Sequence, residues 1–302
     1  MYLIAIMVML TLYLWLVSEY VPTHFKHQRI ALELKQTQVL VTGSSHTLMG
    51  VNPKNLQLPS ANIAEINKPI IVDLKLVKKY HQLMPNLLYV VVPIDYFTLF
   101  FDGESEHYNK RYWHHWGLEK ERISKFHFMD CYIATPYDLL TEKREPLSNY
   151  SIQTGNWSRF SERVKTKFAQ KRTGIWHKNW MDEKAAVGIT KEIQFFVEFC
   201  KKNDIQIILI EMPVPLKIQT FYETKYTSKT RDVIKHLVLQ SNVTHLNFND
   251  SLVFKNDSLF ADADHLNQKG AVILSKMLNN ALEKLNTSLQ VPKKEIREPE
   301  RF

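Results

Sequence analysis

The sequence predicts an α/β protein built around one parallel sheet. Two observations lead there. Apolar runs of strand length stand at 39–41, 87–93 and 205–210, and Thr244-His245-Leu246-Asn247-Phe248 reads as the last strand; a run such as Tyr89-Val90-Val91-Val92, apolar at successive positions, suits a strand covered by helices on both faces. Segments with helical spacing lie between these runs, so consecutive strands should be joined by right-handed crossovers within a single sheet.

The chain begins with an almost unbroken apolar run, residues 2–17, which ends at Ser18-Glu19 and is closed by Pro22. It is apolar on every face, Tyr20 and Val21 extend it, and no small-residue cleavage site follows, so residues 1–21 read as an uncleaved transmembrane signal anchor. Lys26 and Arg29 come after the span and no Lys or Arg precedes it, a small charge bias against an extracytoplasmic domain. Residues 22–37 are polar and read as a stalk or short helix. The main domain is expected over 38–291, and the charged tail 292–302 is expected to be disordered.

Within the domain the first strand breaks at Gly43-Ser44-Ser45-His46, the pattern of a strand turning sharply into a helix. Val51-Asn52-Pro53 opens a loop that Asn62-Ile63-Ala64-Glu65-Ile66-Asn67 continues, and in an open α/β sheet such loops lie at the carboxyl ends of the strands, where ligands bind. Leu74, Val77, Tyr80, Leu83 and Met84 form the stripe of a helix that stops before Pro85. Ile189, Ile193, Phe196, Val197 and Cys200 mark another over 183–203, and a third runs from about 222 to 239. Leu274, Met277, Leu278, Ala281, Leu282 and Leu285 mark the last, with Asn267 placed as its N-cap.

Between 98 and 186 the pattern changes. This segment holds Trp113, Trp116, Trp157, Trp176 and Trp180, five of the chain's six tryptophans, with little strand periodicity. It reads as an aromatic-rich, mainly helical insertion. Its rings serve either a satellite core or a lid and sugar platform, and Trp113, Trp116 and Trp176 are the substrate-binding candidates from it, with His46 beside the first turn.

At 302 residues and 45% hydrophobic content the chain can bury one sizeable core. Its formal charge of +8 is spread along the whole length, with clusters at Lys120, Arg122 and Lys125 and at Lys165, Lys167, Lys171 and Arg172. A diffuse excess of this kind suits a surface near an anionic membrane or glycan, and no nucleic-acid motif accompanies it. Two cysteines, Cys131 and Cys200, lack metal-type spacing, and they read as a disulfide in an oxidising compartment or as two buried thiols. His107, His114 and His115 lack a recognised ligand pattern, so neither a metal nor a cofactor is expected.

The chemistry-bearing residues stand at the two ends of the domain. Ser45, at the turn after the first strand, is the candidate nucleophile. Asp262-Ala263-Asp264-His265 precedes the last helix, and a spacing of three lets Asp262 turn back onto His265. The carboxylate would hold one ring nitrogen as a donor and leave the other to take the serine proton. Asp264, directly beside His265, has the poorer spacing for that role.

Gly43-Ser44-Ser45 together with Asp262-x-x-His265-Leu266-Asn267 and Gly270-Ala271 resembles the SGNH/GDSL hydrolase superfamily, in particular membrane-anchored members associated with bacterial surface polysaccharides. The resemblance implies a flavodoxin-like three-layer α/β/α fold with Ser45, His265 and Asp262 as nucleophile, base and orienter. It also implies a glycine amide and an asparagine side chain as oxyanion donors, but the block after Val92 reads Pro93-Ile94-Asp95 and shows no Asn. Ser45 through its backbone N–H, Asn62 and Asn67 are the candidates left, and each asparagine also reads as an ordinary turn residue. The expected function is ester hydrolysis or O-acyl transfer on a cell-envelope or exported polysaccharide, with the domain held extracytoplasmically at a bacterial inner membrane. The expected partners are an acylated carbohydrate, the membrane and polysaccharide-assembly proteins. A catalytically silent glycan-binding protein on the same fold is the alternative.

Overall fold

A computed structural model describes residues 5–13, 30–103, 116, 118, 147–148 and 150–288. Five strands form one sheet: β1 (Val39–Val41), β2 (Ser60–Asn62), β3 (Tyr89–Pro93), β4 (Gln206–Glu211) and β5 (Val243–Asn247). All neighbours pair in parallel, in the order β2-β1-β3-β4-β5. The strand order reverses between β1 and β3, which places a crevice at their carboxyl ends.

Four of these strands coincide with the strands expected from the sequence. β2 does not, because Ser60-Ala61-Asn62 has no β-branched residue and lies where the sequence reads as loop. It exists as the edge partner of β1, with Val39 opposite Ser60 and Val41 opposite Asn62; pairing supplies what intrinsic propensity lacks.

The helices are α1 (Ser45–Gly50), α2 (Ile70–Tyr80), α3 (Glu162–Asn179), α4 (Glu183–Lys202), α5 (Leu216–Gln219), α6 (Thr224–Leu237) and α7 (Gln268–Ser288). The helix expected over about 222–239 is α6, and the short α5 precedes it. Successive strand residues alternate between two cores, as a period of two requires. Leu40, Val90, Val92, Ile207 and Leu209 face one core with Leu74 and Val77 of α2, Phe196 of α4 and Ile234 of α6. Val41, Val91, Ile208 and Ile210 face the other with Leu274, Leu278 and Leu282 of α7. Helices on both faces make the three layers.

Two expectations about the flanks and the insertion need correction. Among the described residues no helix is long and apolar enough to cross a membrane. Single-pass placement in the inner membrane is therefore not supported. Of residues 22–37, read as a stalk or short helix, those from 30 onward are described. Residues 30–33 are helical, and Ile30 and Leu34 are buried in the α2 and α4 core, so the domain is already packed there.

In the insertion, Trp116 and Trp176 belong to that same core and Trp157 to the opposite one, so these rings build the main cores and not a satellite. Trp113, His107, His114, His115, Cys131 and the tail 292–302 lie outside the described residues, while Cys200 is a buried free thiol.

The exit from β1 depends on one glycine. Gly43 has φ +117, and a Cβ there would meet Pro93 Cγ at 2.3 Å and Thr47 Oγ1 at 2.5 Å. Gly43→Ala is expected to lower unfolding stability by about 2–4 kcal/mol, from left-handed strain together with the clash. Urea denaturation of both proteins measures it, and a midpoint within error of wild type would contradict the steric account.

Candidate active site

Ser45 is the first residue of α1 and stands at the carboxyl end of β1. The turn that delivers it is held on three sides. Thr42 Oγ1 donates to Val91 O at 2.9 Å, Glu65 N–H donates to Gly43 O at 3.1 Å, and Thr47 Oγ1 donates to Ser44 O at 3.1 Å. Beneath it Lys68 and Asp73 form a buried ion pair of 2.7 Å, and Lys68 also donates to Ile63 O.

The other half of the site is a loop anchored by Asn267. Its Oδ1 accepts from the N–H groups of Lys269 and Gly270, the N-cap expected for α7. Its Nδ2 donates to Ser258 O and Phe260 O, and its backbone N–H donates to Leu259 O. Phe260 and Leu266 form an antiparallel bridge, and Ala261 N–H donates to His265 O. The segment from Ala261 to His265 is thus a closed loop presented to α1.

Across this junction the expected residues meet. His265 Nε2 lies 2.9 Å from Ser45 Oγ, and His265 Nδ1 lies 3.0 Å from Asp262 Oδ2. With Nδ1–H donating to the carboxylate, Nε2 is left to accept from the serine hydroxyl. Asp262 Oδ1 also accepts the backbone N–H groups of Asp264 and His265, at 3.0 and 2.9 Å. Burial works against its charge, but His265 and those two amides outweigh it and hold the carboxyl well below the usual range.

A second set of charges lies directly behind. His46 is buried, although a residue at a helix start was expected to face solvent or substrate. Its Nδ1 lies 2.9 Å from Asp95 Oδ2 and its Nε2 3.4 Å from Asp264 Oδ2. Asp95 Oδ1 accepts from Met212 N–H at 3.0 Å. Arg172 Nε, reaching in from α3, stands 2.9 Å from Asp264 Oδ1 as an ion pair. Burial lowers the His46 pKa, yet the two carboxylates outweigh it and raise it to about 10. The stability this group contributes is therefore full below about pH 6.5 and is lost as pH rises through about 10.

The remaining candidates separate clearly. Asn62 is fully buried, and its amide donates to Thr47 O at 2.9 Å and to Val51 O at 2.8 Å while Oδ1 accepts from Ala64 N–H. Its donors brace the end of α1 and none is left for an oxyanion. Asn67 adopts a left-handed conformation, φ 57, and lines a narrow cavity together with Ser44, Ser45, Arg172, Trp176 and Trp180. The Ser44 hydroxyl at that cavity is buried without a hydrogen-bond partner among the described residues. Trp116 is buried and donates through Nε1 to Glu65, so it offers no open face to a sugar. Trp176 is also buried, with its ring 5.1 Å from Phe97 and stacked on Trp180; it forms the cavity wall.

A wider groove borders Asp262, lined by Phe160, Phe168, Lys171, Arg172 and Ile175 among others. Asp95, Asp264 and Arg172 escaped the sequence reading as site residues. The available signal was a charged residue just past β3 and a second acid beside His265.

Among the described residues, His46, Asp264 and His265 have ligand-type atoms within 4.8 Å of one another. Arg172 on Asp264, Asp95 on His46 Nδ1 and Asp262 on His265 Nδ1 tie these residues into one network of charged and hydrogen-bonding groups.

No family model matches the chain, and no curated protein matches it. A solved structure provisionally named a platelet activating factor, from Streptococcus pneumonia, aligns over 91% of this chain and 98% of its own at 11% identity and a TM-score of 0.43. Another, provisionally named an acylhydrolase, from Bacteroides fragilis, aligns over 85% of this chain and 96% of its own at 13% identity and a TM-score of 0.43. Likeness at this level transfers no activity to this chain.

Two outcomes follow from the geometry. Asn267→Ala removes a helix cap and leaves several backbone groups unpaired, so a loss of about 2–4 kcal/mol in calorimetric unfolding is expected; an unchanged Tm would show that the loop is held otherwise. Asp262 contributes stability above the unfolded-state carboxyl pKa of about 3.9 and loses it as pH falls through its depressed folded value. The stability gap between wild type and Asp262→Asn should therefore be largest near neutrality and narrow below about pH 4. A gap that widens in acid would contradict that sign.

Proposed function

We propose that the protein is a serine-dependent ester hydrolase or O-acyltransferase acting on O-acyl groups of a carbohydrate. The observation that carries this is the unbroken chain from Ser45 Oγ through His265 to Asp262, with contacts of 2.9 and 3.0 Å. In the reaction Ser45 Oγ attacks the acyl carbonyl while its proton passes to His265 Nε2. The C–O bond to the leaving alcohol then breaks and His265 returns the proton to that oxygen, leaving an acyl-enzyme. Water or a sugar hydroxyl gives its proton to His265, attacks the acyl carbon and restores the serine. Asp262 stabilises the imidazolium in both halves.

Donors for the oxyanion are the Ser45 backbone N–H, with Asn67 and the Ser44 hydroxyl lining the same cavity. The groove beside Asp262 supports a glycan substrate: Phe160 and Phe168 offer part-exposed ring faces, and Lys171 and Arg172 suit anionic substituents. A polysaccharide-assembly protein as partner belongs to the same reading.

The second reading, a silent glycan-binding protein, is favoured by Asp95, which takes the place after β3 where the resemblance implies an asparagine donor, and by the commitment of Asn62 to the backbone. A serine-directed fluorophosphonate separates the two. Wild type is expected to be labelled, Ser45→Ala and His265→Ala are expected not to be, and ester turnover in either variant should fall about 10³-fold or more. Folded wild type that takes no label would leave the binding protein as the surviving reading.

A further inference from the structure

His46 follows Ser45 directly, yet its ring is closed in by charge and aromatic surface. Phe97 and Trp176 meet it edge-on, and the His265 ring lies 5.3 Å away. Both ring nitrogens face carboxylates, Asp95 at 2.9 Å and Asp264 at 3.4 Å. A neutral imidazole has one N–H, so in either tautomer one buried carboxylate would confront a lone pair. Only the imidazolium donates to both. Asp264 in turn approaches the base, with Oδ1 3.4 Å from His265 Nδ1, the nitrogen that Asp262 also holds. That nitrogen has one proton and two carboxylates beside it.

We infer that His46 is a positioning residue: as an imidazolium clamped by Asp95 and Asp264, it compensates the second carboxylate at His265 and leaves Asp262 to orient the base. The inference rests on the reading of His265 as that base.

The charges around the pair support it. Asp95 faces it from the loop after β3, Asp262 and Asp264 from the loop before α7, and Arg172 from α3. Tyr222, stacked on Tyr96, lies nearby with its hydroxyl pKa pushed well up, chiefly by burial, and stays neutral. Glu211, at the end of β4, lies 2.9 Å from His245 of β5. With His265 neutral, the carboxylates of Asp95, Asp262 and Asp264 stand against the cations His46 and Arg172, a balance of one negative charge. The proton that His265 takes from the serine brings that balance to zero. Without the charge on His46 the resting balance is two negative charges, which favours a proton on His265 before the serine offers one.

The test is ¹⁵N labelling of histidine in the full chain, with ring nitrogen shifts followed against pH. Wild-type His46 is expected to show two protonated ring nitrogens from about pH 6 to 9. In His46→Gln the His265 pKa should rise by about one pH unit, a tenfold gain in proton affinity. The double variant His46→Gln with Asp264→Asn should return it to near the wild-type value, and the acid limb of kcat/KM for ester turnover should move in parallel.

A wild-type His46 found neutral at pH 7 would overturn the inference with no substitution at all, and so would an unmoved His265 in folded His46→Gln. Ring titration needs no turnover, so the two readings fail separately. The expected shifts in a protein that takes no fluorophosphonate would support the clamp and sink the esterase. A labelled enzyme with neutral His46 would do the reverse.

Discussion

The site depends on Asn267 more than on any residue that the chemistry would use. One side chain ties the start of α7 to the loop before it, accepting two helix N–H groups and donating to carbonyls that precede His265 in the chain. Helix starts leave N–H groups without intrahelical partners, and an asparagine that takes two of them fixes the angle at which the chain enters. Because α7 packs through Leu274 and Leu278 against the face that carries Val41 and Val91, fixing that angle also fixes His265 relative to the end of β1. The 2.9 Å contact between Ser45 and His265, residues 220 apart in sequence, is the result.

Around that contact the protein gathers charge where the sheet order reverses. A buried carboxylate is costly unless it is paired and hydrogen-bonded. Here Asp262 accepts two backbone amides and an imidazole, Asp95 accepts a backbone amide and faces His46, and Asp264 is shared between His46 and Arg172. The three carboxylates thus occupy separate environments within one small volume.

The aromatic insertion contributes to the site through its last helix. α3 supplies Arg172 to the charge network and Trp176 to the wall above His46, while Phe97 and Trp180 close the same wall. Packing and access are therefore coupled: the rings that exclude water from the histidines also complete the core over the α2 and α4 face. The groove beside Asp262 stays outside this wall and keeps part-exposed phenylalanines next to lysine and arginine.

Local patterns determined much of this. Runs apolar at successive positions specify strands buried on both faces, and the Leu274, Leu278 and Leu282 spacing specifies a helix with one buried stripe, because both periodicities are properties of a few consecutive residues. The Asn267 cap and the Asp262 to His265 spacing are equally local and were legible for that reason. What needed the tertiary structure was each contact between distant segments. β2 exists only as a partner of β1, Asn62 is committed to the end of α1, Trp116 and Trp176 turn inward, and among the described residues no helix is long and apolar enough to cross a membrane. His46 shows the reason most plainly: nothing adjacent to it is acidic, and its charge is set by Asp95 and Asp264, brought to it by two other loops of the folded chain.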